Sequence, residues 1–331
     1  MTKFLSVLTA SAAVLNIMTA MPLSAAASAY QDYEYVYSEE TGGIEITAYT
    51  GSDVHVYVPY KIDGIKVTSI GDDAFENNSA ITFVDLPDTV VSIGAGAFYC
   101  CENLRKVQLP DDLETIEQHA FSGCTSLIEA DLPQGLKNIE WCAFQLTSIS
   151  NLVIPSSVEK LSPSAFNHTL FTFSVYIEDG LTEIGEEAFL TAENLNWVYI
   201  PRSVEVIGDH AFGYATYDYD RYNDELVIYG HNFTAAYAYA AAHNITFKNC
   251  VVGDVDFNGS INSLDASWIL EYYAGAAIGV GIPSNRVKEE CADTNADGAI
   301  DALDASYVLT YYAYTATGGN MSFEEFMSDK A

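Results

Sequence analysis

Positive charge is what this chain lacks most. Its 13 Lys and Arg stand against 46 Asp and Glu in 331 residues, a net of −33. So few cations cannot line a phosphate-tracking groove, which argues against nucleic acid as a partner, and the field repels an anionic lipid surface. Cysteines are also few, at six, and they are not spaced as a disulfide framework. Beyond a short apolar run near the start, no stretch is long and apolar enough to insert in a membrane. No Pro- or Ser-rich linker marks a boundary between domains. What is present is apolar residues, at 49%, enough for a real core in one large or two unequal domains rather than a disordered acidic chain.

Residues 1–29 read as a secretory leader: Lys3, an apolar stretch from Phe4 to Ile17, and a small-x-small site at Ala27-Ser28-Ala29, leaving Tyr30 first. A retained anchor is the alternative, opposed by the shortness of the run and its Ser and Thr interruptions. Residues 30–57 alternate apolar and polar around Gly42-Gly43, a β-hairpin that caps the region C-terminal to it.

From residue 58 onward the sequence is periodic. Ala-Phe pairs stand at 74–75, 97–98, 120–121, 143–144, 165–166, 188–189 and 211–212, in steps of 23 with a single step of 22. A second column keeps the period: Pro87, Pro110, Pro133, Pro155, Glu178 in place of proline, and Pro201. Fixed apolar positions at this period describe a solenoid in which each coil buries its edge only against its neighbours. The Ile-Gly-x-x-Ala-Phe-x-x-Cys-x-x-Leu pattern resembles the leucine-rich repeats of bacterial and treponemal surface antigens. The resemblance implies a mainly β fold of about seven coils over 58–249, closed by a C-terminal cap that includes an alanine-rich helix over 234–243. The period breaks after Phe212 with a tyrosine-rich insertion of about five residues.

A second repeat occupies the end of the chain. Asp254, Asp256, Asn258, Ser260, Asn262 and Asp265 fall at positions 1, 3, 5, 7, 9 and 12 of one loop. Asp293, Asn295, Asp297, Ala299, Asp301 and Asp304 fall at the same positions of another, with Gly259 and Gly298 at position 6. Carboxylate and amide oxygens at these spacings, with a carbonyl at position 7, make a cage for a hard cation, so two calcium ions are expected. Four carboxylates against three predict tighter binding by the second loop. Position 12 is Asp rather than Glu, no helix-like run precedes either loop, and an amphipathic segment follows each. Such a pair of loop-helix units resembles a type I dockerin, a small α-helical module, here over 250–314. The resemblance implies a cohesin partner on a scaffoldin or cell-surface anchor. Its recognition positions carry over to Ser263, Leu264, Ala302 and Leu303, with Trp268, Tyr272, Tyr307 and Tyr311 nearby. Because the two sets differ little, docking in two orientations is expected; Leu264 and Leu303 either meet the partner or enter the core. Residues 315–331 form a tail without assignment.

Other candidates are fewer. If Val84, Val107, Ala130, Leu152, Val175, Val198 and Leu226 point inward, then Tyr176, Trp197 and Tyr199 cluster on the outer strand face. They form either a platform for a polysaccharide or protein ligand or simple cross-strand packing. His119 and Cys142 are neighbours in the column before Ala-Phe, but no third group orients them and no pocket is evident. Cys101 and Cys124 share a repeat position and read as buried fillers; Cys250 and Cys291, each just before a loop, are free or bridge the module. Altogether the chain reads as a secreted, non-catalytic cellulosome component in polysaccharide breakdown. A cellulosomal hydrolase and a cell-substrate adhesin are the alternatives.

Overall fold

The computed structural model describes residues 30–169, 172–215, 222–278 and 286–328. Residues 1–29, the expected leader, and residues 216–221 of the tyrosine-rich stretch lie outside them. Each repeat makes one coil that lays a short strand on each of two faces. One face is a ten-stranded sheet. It starts with the antiparallel hairpin Tyr33–Ser38 and Gly43–Tyr49, and continues in parallel through Ile65–Ile70, Ser92–Ile93 and onward to Val206–Ile207. The opposite, front face holds His55–Tyr57, Phe83–Asp85 and Lys106–Gln108. Further on it holds Asn151–Ile154, Ser174–Ile177, Trp197–Tyr199, Val227–Gly230 and Thr246–Asn249. His55–Tyr57 therefore belongs to the front sheet, paired with Phe83–Asp85, and not to the N-terminal hairpin.

The Ala-Phe pairs organise the core. Phe75, Phe98, Phe121, Phe144, Phe166, Phe189 and Phe212 are all fully buried and stack in one ladder, ring centroids 4.8 to 5.4 Å apart. Their backbones form a second ladder, with Phe98 N–H donating to the Ala120 carbonyl at 2.7 Å and Phe121 N–H to that of Ala143 at 2.8 Å. Tyr49 extends the ring stack at the N-terminal end, 5.1 Å from Phe75. At the other end lies Tyr239, edge-on to Phe212 at 6.1 Å. Nine successive rings mark nine turns, two more than the Ala-Phe count. Tyr239 sits on α1 (Ala235–Ala242), and its hydroxyl accepts from Phe212 N–H and donates to the Phe212 carbonyl, closing the open end of the solenoid.

Why the residue before each Ala-Phe is so variable has a backbone answer. Asp73, Gly96, His119, Cys142, Ser164, Glu187 and His210 all adopt φ between 55° and 62°. A second left-handed column runs through Asn77, Cys100, Gly123, Leu146, His168 and Thr191. The turn needs a conformation, not a side chain. Cys101 and Cys124 are buried, and each thiol lies 3.0 to 3.1 Å from a phenylalanine carbonyl of the preceding coil.

Inward packing follows expectation from Val84 to Val198, each buried. Leu226 is buried as well, but the register differs there. Val198 pairs with Ile228 rather than Leu226, because the insertion is two residues longer in register than the repeat spacing alone suggests.

Beyond Asn249 the described residues form four helices: α2 (Ser263–Ala277), α3 (Arg286–Ala292), α4 (Ala302–Ala316) and α5 (Phe323–Ser328). The long α2 and α4 pack on each other. A helix does precede the second loop, contrary to the sequence expectation. Val287, Cys291 and Ala292 on α3 are buried, but seven residues are too few to show a clear helical period. The tail contributes α5, whose Phe323 and Phe326 pack around Tyr311 at 5.1 and 5.4 Å.

Candidate metal and docking site

The two loops are built alike. Asn262 and Asp301 cap α2 and α4, and Asp265 and Asp304 complete a capping box in each. The position-12 aspartate thus serves helix and loop at once. Asp265 Oδ2 accepts from Asn262 N–H at 2.9 Å, while its Oδ1 accepts from Val255 N–H at 2.9 Å. Asp304 repeats this with Asp301 N–H at 2.9 Å and Thr294 N–H at 2.8 Å. At position 1, Asp254 accepts from Asn258 and Gly259 N–H, and Asp293 from Asp297 and Gly298 N–H. Gly259 and Gly298, at φ 85° and 84°, make the sharp turn that folds each loop around its acidic side chains.

In the first loop, carboxylate oxygens of Asp254, Asp256 and Asp265 lie within 4.8 Å of one another, and Asp254 and Asp265 are buried. Burial pushes both of those carboxyls above the usual range despite the N–H groups they accept from. Buried like charges facing each other in a cage of oxygens fit a divalent cation, which supplies the missing counter-charge. In the second loop Asn295 replaces the carboxylate of Asp256, and no comparable triad forms among the described residues. The hydrogen-bond geometry is otherwise the same in both loops, and the count of carboxylates is higher in the second.

The repeat pattern described as a BspA type leucine rich repeat region matches residues 61–173 and 163–268, in six copies. The chain belongs to the BspA-type leucine-rich repeat family. Its residues 252–311 match the type I dockerin domain, a calcium-binding module. The two matches overlap over 252–268, a stretch that the structure gives to the loop and helix of the dockerin. Both are non-catalytic domain types. Among solved structures, a leucine rich cell surface protein from Faecalibacterium prausnitzii A2-165 is similar at 27% identity and TM-score 0.52, over 60% of this chain and 53% of that one. A leucine-rich repeat protein from Bacteroides ovatus ATCC 8483 shares the fold at 24% identity and TM-score 0.50, over 60% and 54%. The chain thus spans about half the length of each. No curated protein matches it.

The positions expected to meet a partner lie at the surface or partly so. Leu264 and Leu303 are 65% and 46% exposed, Ser263 and Ala302 are exposed beside them, and Trp268, Tyr272, Tyr307 and Tyr311 are half-buried. Neither leucine is a core residue. The two faces are not equivalent at their far ends: α5 covers Tyr311, whereas Tyr272 stacks on Trp268 at 5.3 Å.

The aromatic platform has a different fate. Tyr176 and Tyr199 are 4% and 7% exposed, because the dockerin sits on them. Arg286 lies over the Tyr176 ring at 4.4 Å and pairs with Glu178 at 2.7 Å. Phe257, at position 4 of the first loop, packs edge-on against Tyr229 at 4.9 Å, and Trp197 packs on the edge of the same cluster. Tyr176, Tyr199, Tyr229 and Phe257 hold the two domains together and offer no open platform, while Trp197 stays half-buried at the margin. Arg286, Phe257 and Tyr229 carry no local signal of this role. Glu178 does: it is the one residue of its column that is not proline, and it faces the dockerin. Cys250 and Cys291 meet within this interface as free, buried thiols.

His119 packs against Trp141 and Tyr99. Burial pushes the Cys142 thiol up to about 11, the wrong direction for a nucleophile. Among the described residues no helix is long and apolar enough to cross a membrane.

Proposed function

We propose that this protein is a secreted, non-enzymatic cellulosome component. Its dockerin binds two calcium ions and docks onto a cohesin of a scaffoldin or surface anchor, and its solenoid presents a ligand-binding face to plant polysaccharide or an associated protein. The observation that carries the docking half is the exposure of Leu264 and Leu303 at matching loop positions, each held at a capped helix start beside an acidic cage. Calcium would fix the cage, and through the shared Asp265 and Asp304 the helix start that carries the leucine. The rigid contact through Tyr176, Tyr199 and Arg286 presents the solenoid in one fixed attitude to the scaffold.

Two near-equal faces support docking in either of two orientations. Leu264→Arg or Leu303→Arg alone should then weaken cohesin binding less than tenfold in surface plasmon resonance, and the double variant more than a hundredfold. Full loss from one single change would leave one orientation only. Unchanged binding by the double variant would move the docking face elsewhere.

A further inference from the structure

We propose that the open part of the front face binds an uncharged glycan chain laid across the coils. This rests on the reading of the solenoid as the ligand-presenting half and not on cohesin docking. Thr82, Arg105, Ile128, Ser150 and Phe173 each stand one residue before the front-face segment of their coil. They form one column that lines a trough of about 630 Å³. Phe173, 43% exposed, also lines a second hollow with Asn196, the next member of the column, and Trp197. At roughly 4.8 Å per coil, six positions span about 24 Å.

The column is rigid. Arg105 N–H donates to the Thr82 carbonyl, Ile128 N–H to that of Arg105, Phe173 N–H to that of Ser150, and Asn196 N–H to that of Phe173. With these backbone groups paired between coils, a peptide cannot add here as a further strand. Side chains alone remain to bind, and the side chains of Arg105, Ser126, Ser150 and Asn196 have no hydrogen-bond partner among the described residues.

Charge narrows the ligand. None of the residues lining either hollow is Asp or Glu, in a chain that has 46. A basic partner would find Arg105 and Arg286 and no carboxylate among the lining residues, while the net of −33 repels an acidic polymer. An uncharged chain with hydroxyl edges and apolar ring faces suits what is left: guanidinium, amide and hydroxyl groups beside an exposed phenylalanine and isoleucine.

The test is calorimetric titration of the intact protein with xyloglucan, mixed-linkage β-glucan and galactomannan, and with polygalacturonate and polylysine as charged probes. At least one uncharged probe should bind, and more tightly than either charged one. Phe173→Ala and Arg105→Ala should each weaken that binding at least tenfold and Phe173→Tyr little, with melting temperature and cohesin binding unchanged in all three. Binding indifferent to both alanine variants, or tighter binding of a charged probe, overturns the proposal. So does failure of all three uncharged probes. In that case, capture of a protein ligand sensitive to Phe173→Ala would leave the solenoid reading standing, and absence of any ligand would remove that as well.

Discussion

At the residue scale, the solenoid turn selects backbone geometry over chemistry. Two left-handed positions per coil accept Asp, His, Cys, Ser, Glu, Leu and Thr alike, which is why the first of these columns looks irregular in sequence and why His119 beside Cys142 is an accident of stacking. A non-glycine residue in this region costs about 1–2 kcal/mol, partly offset by the roughly 0.5–1 kcal/mol of extra chain entropy that glycine loses on folding. Leu146, exposed at φ 60°, is the clearest case. Leu146→Gly should stabilise the solenoid by up to about 1 kcal/mol, measured by chemical denaturation, and Leu146→Ala should not, since alanine keeps the Cβ. An equal gain from both would locate the strain in the leucine side chain instead.

At the element scale, the first acidic loop of the dockerin is also an interface element. Phe257 stands between the ligand positions of Asp256 and Asn258, adopts φ 56°, and is buried against Tyr229 of the solenoid. Truncation of a buried phenylalanine costs about 3–5 kcal/mol. Phe257→Ala should therefore cost about 3 kcal/mol and separate the melting of the dockerin from that of the solenoid in calorimetry. One unchanged transition would mean that the contact contributes little to holding the domains together. The local parts of this arrangement are legible in sequence: the loop spacings, the 23-residue step and the alanine-rich cap each follow from residues close along the chain. The contact itself is not, because Tyr229 and Phe257 or Glu178 and Arg286 meet through tertiary packing that no period announces. Tyr49 and Tyr239 are hidden as ladder ends for a related reason, since they fill the phenylalanine position outside any Ala-Phe pair.

At the scale of the whole molecule, burial of Tyr176 and Tyr199 decides how the protein is divided. The dockerin covers the C-terminal part of the front face and leaves Leu264 and Leu303 outward. The N-terminal part of the same face, from Thr82 to Phe173, stays open. On the proposed function, these are two separate surfaces of one molecule, one for a scaffold and one for a ligand. The ring stack, the front-face interface and the acidic cages belong to one continuous architecture, in which the first acidic cage lies next to the domain contact. Isothermal titration of the intact protein with a panel of cohesins, first with calcium and then with chelator, tests this account most directly. Tight binding that disappears with chelator and returns with added calcium is the predicted result. Cohesin binding unaffected by chelator, or binding to no cohesin while calcium still raises the melting temperature, would contradict it and leave the loops a purely structural role.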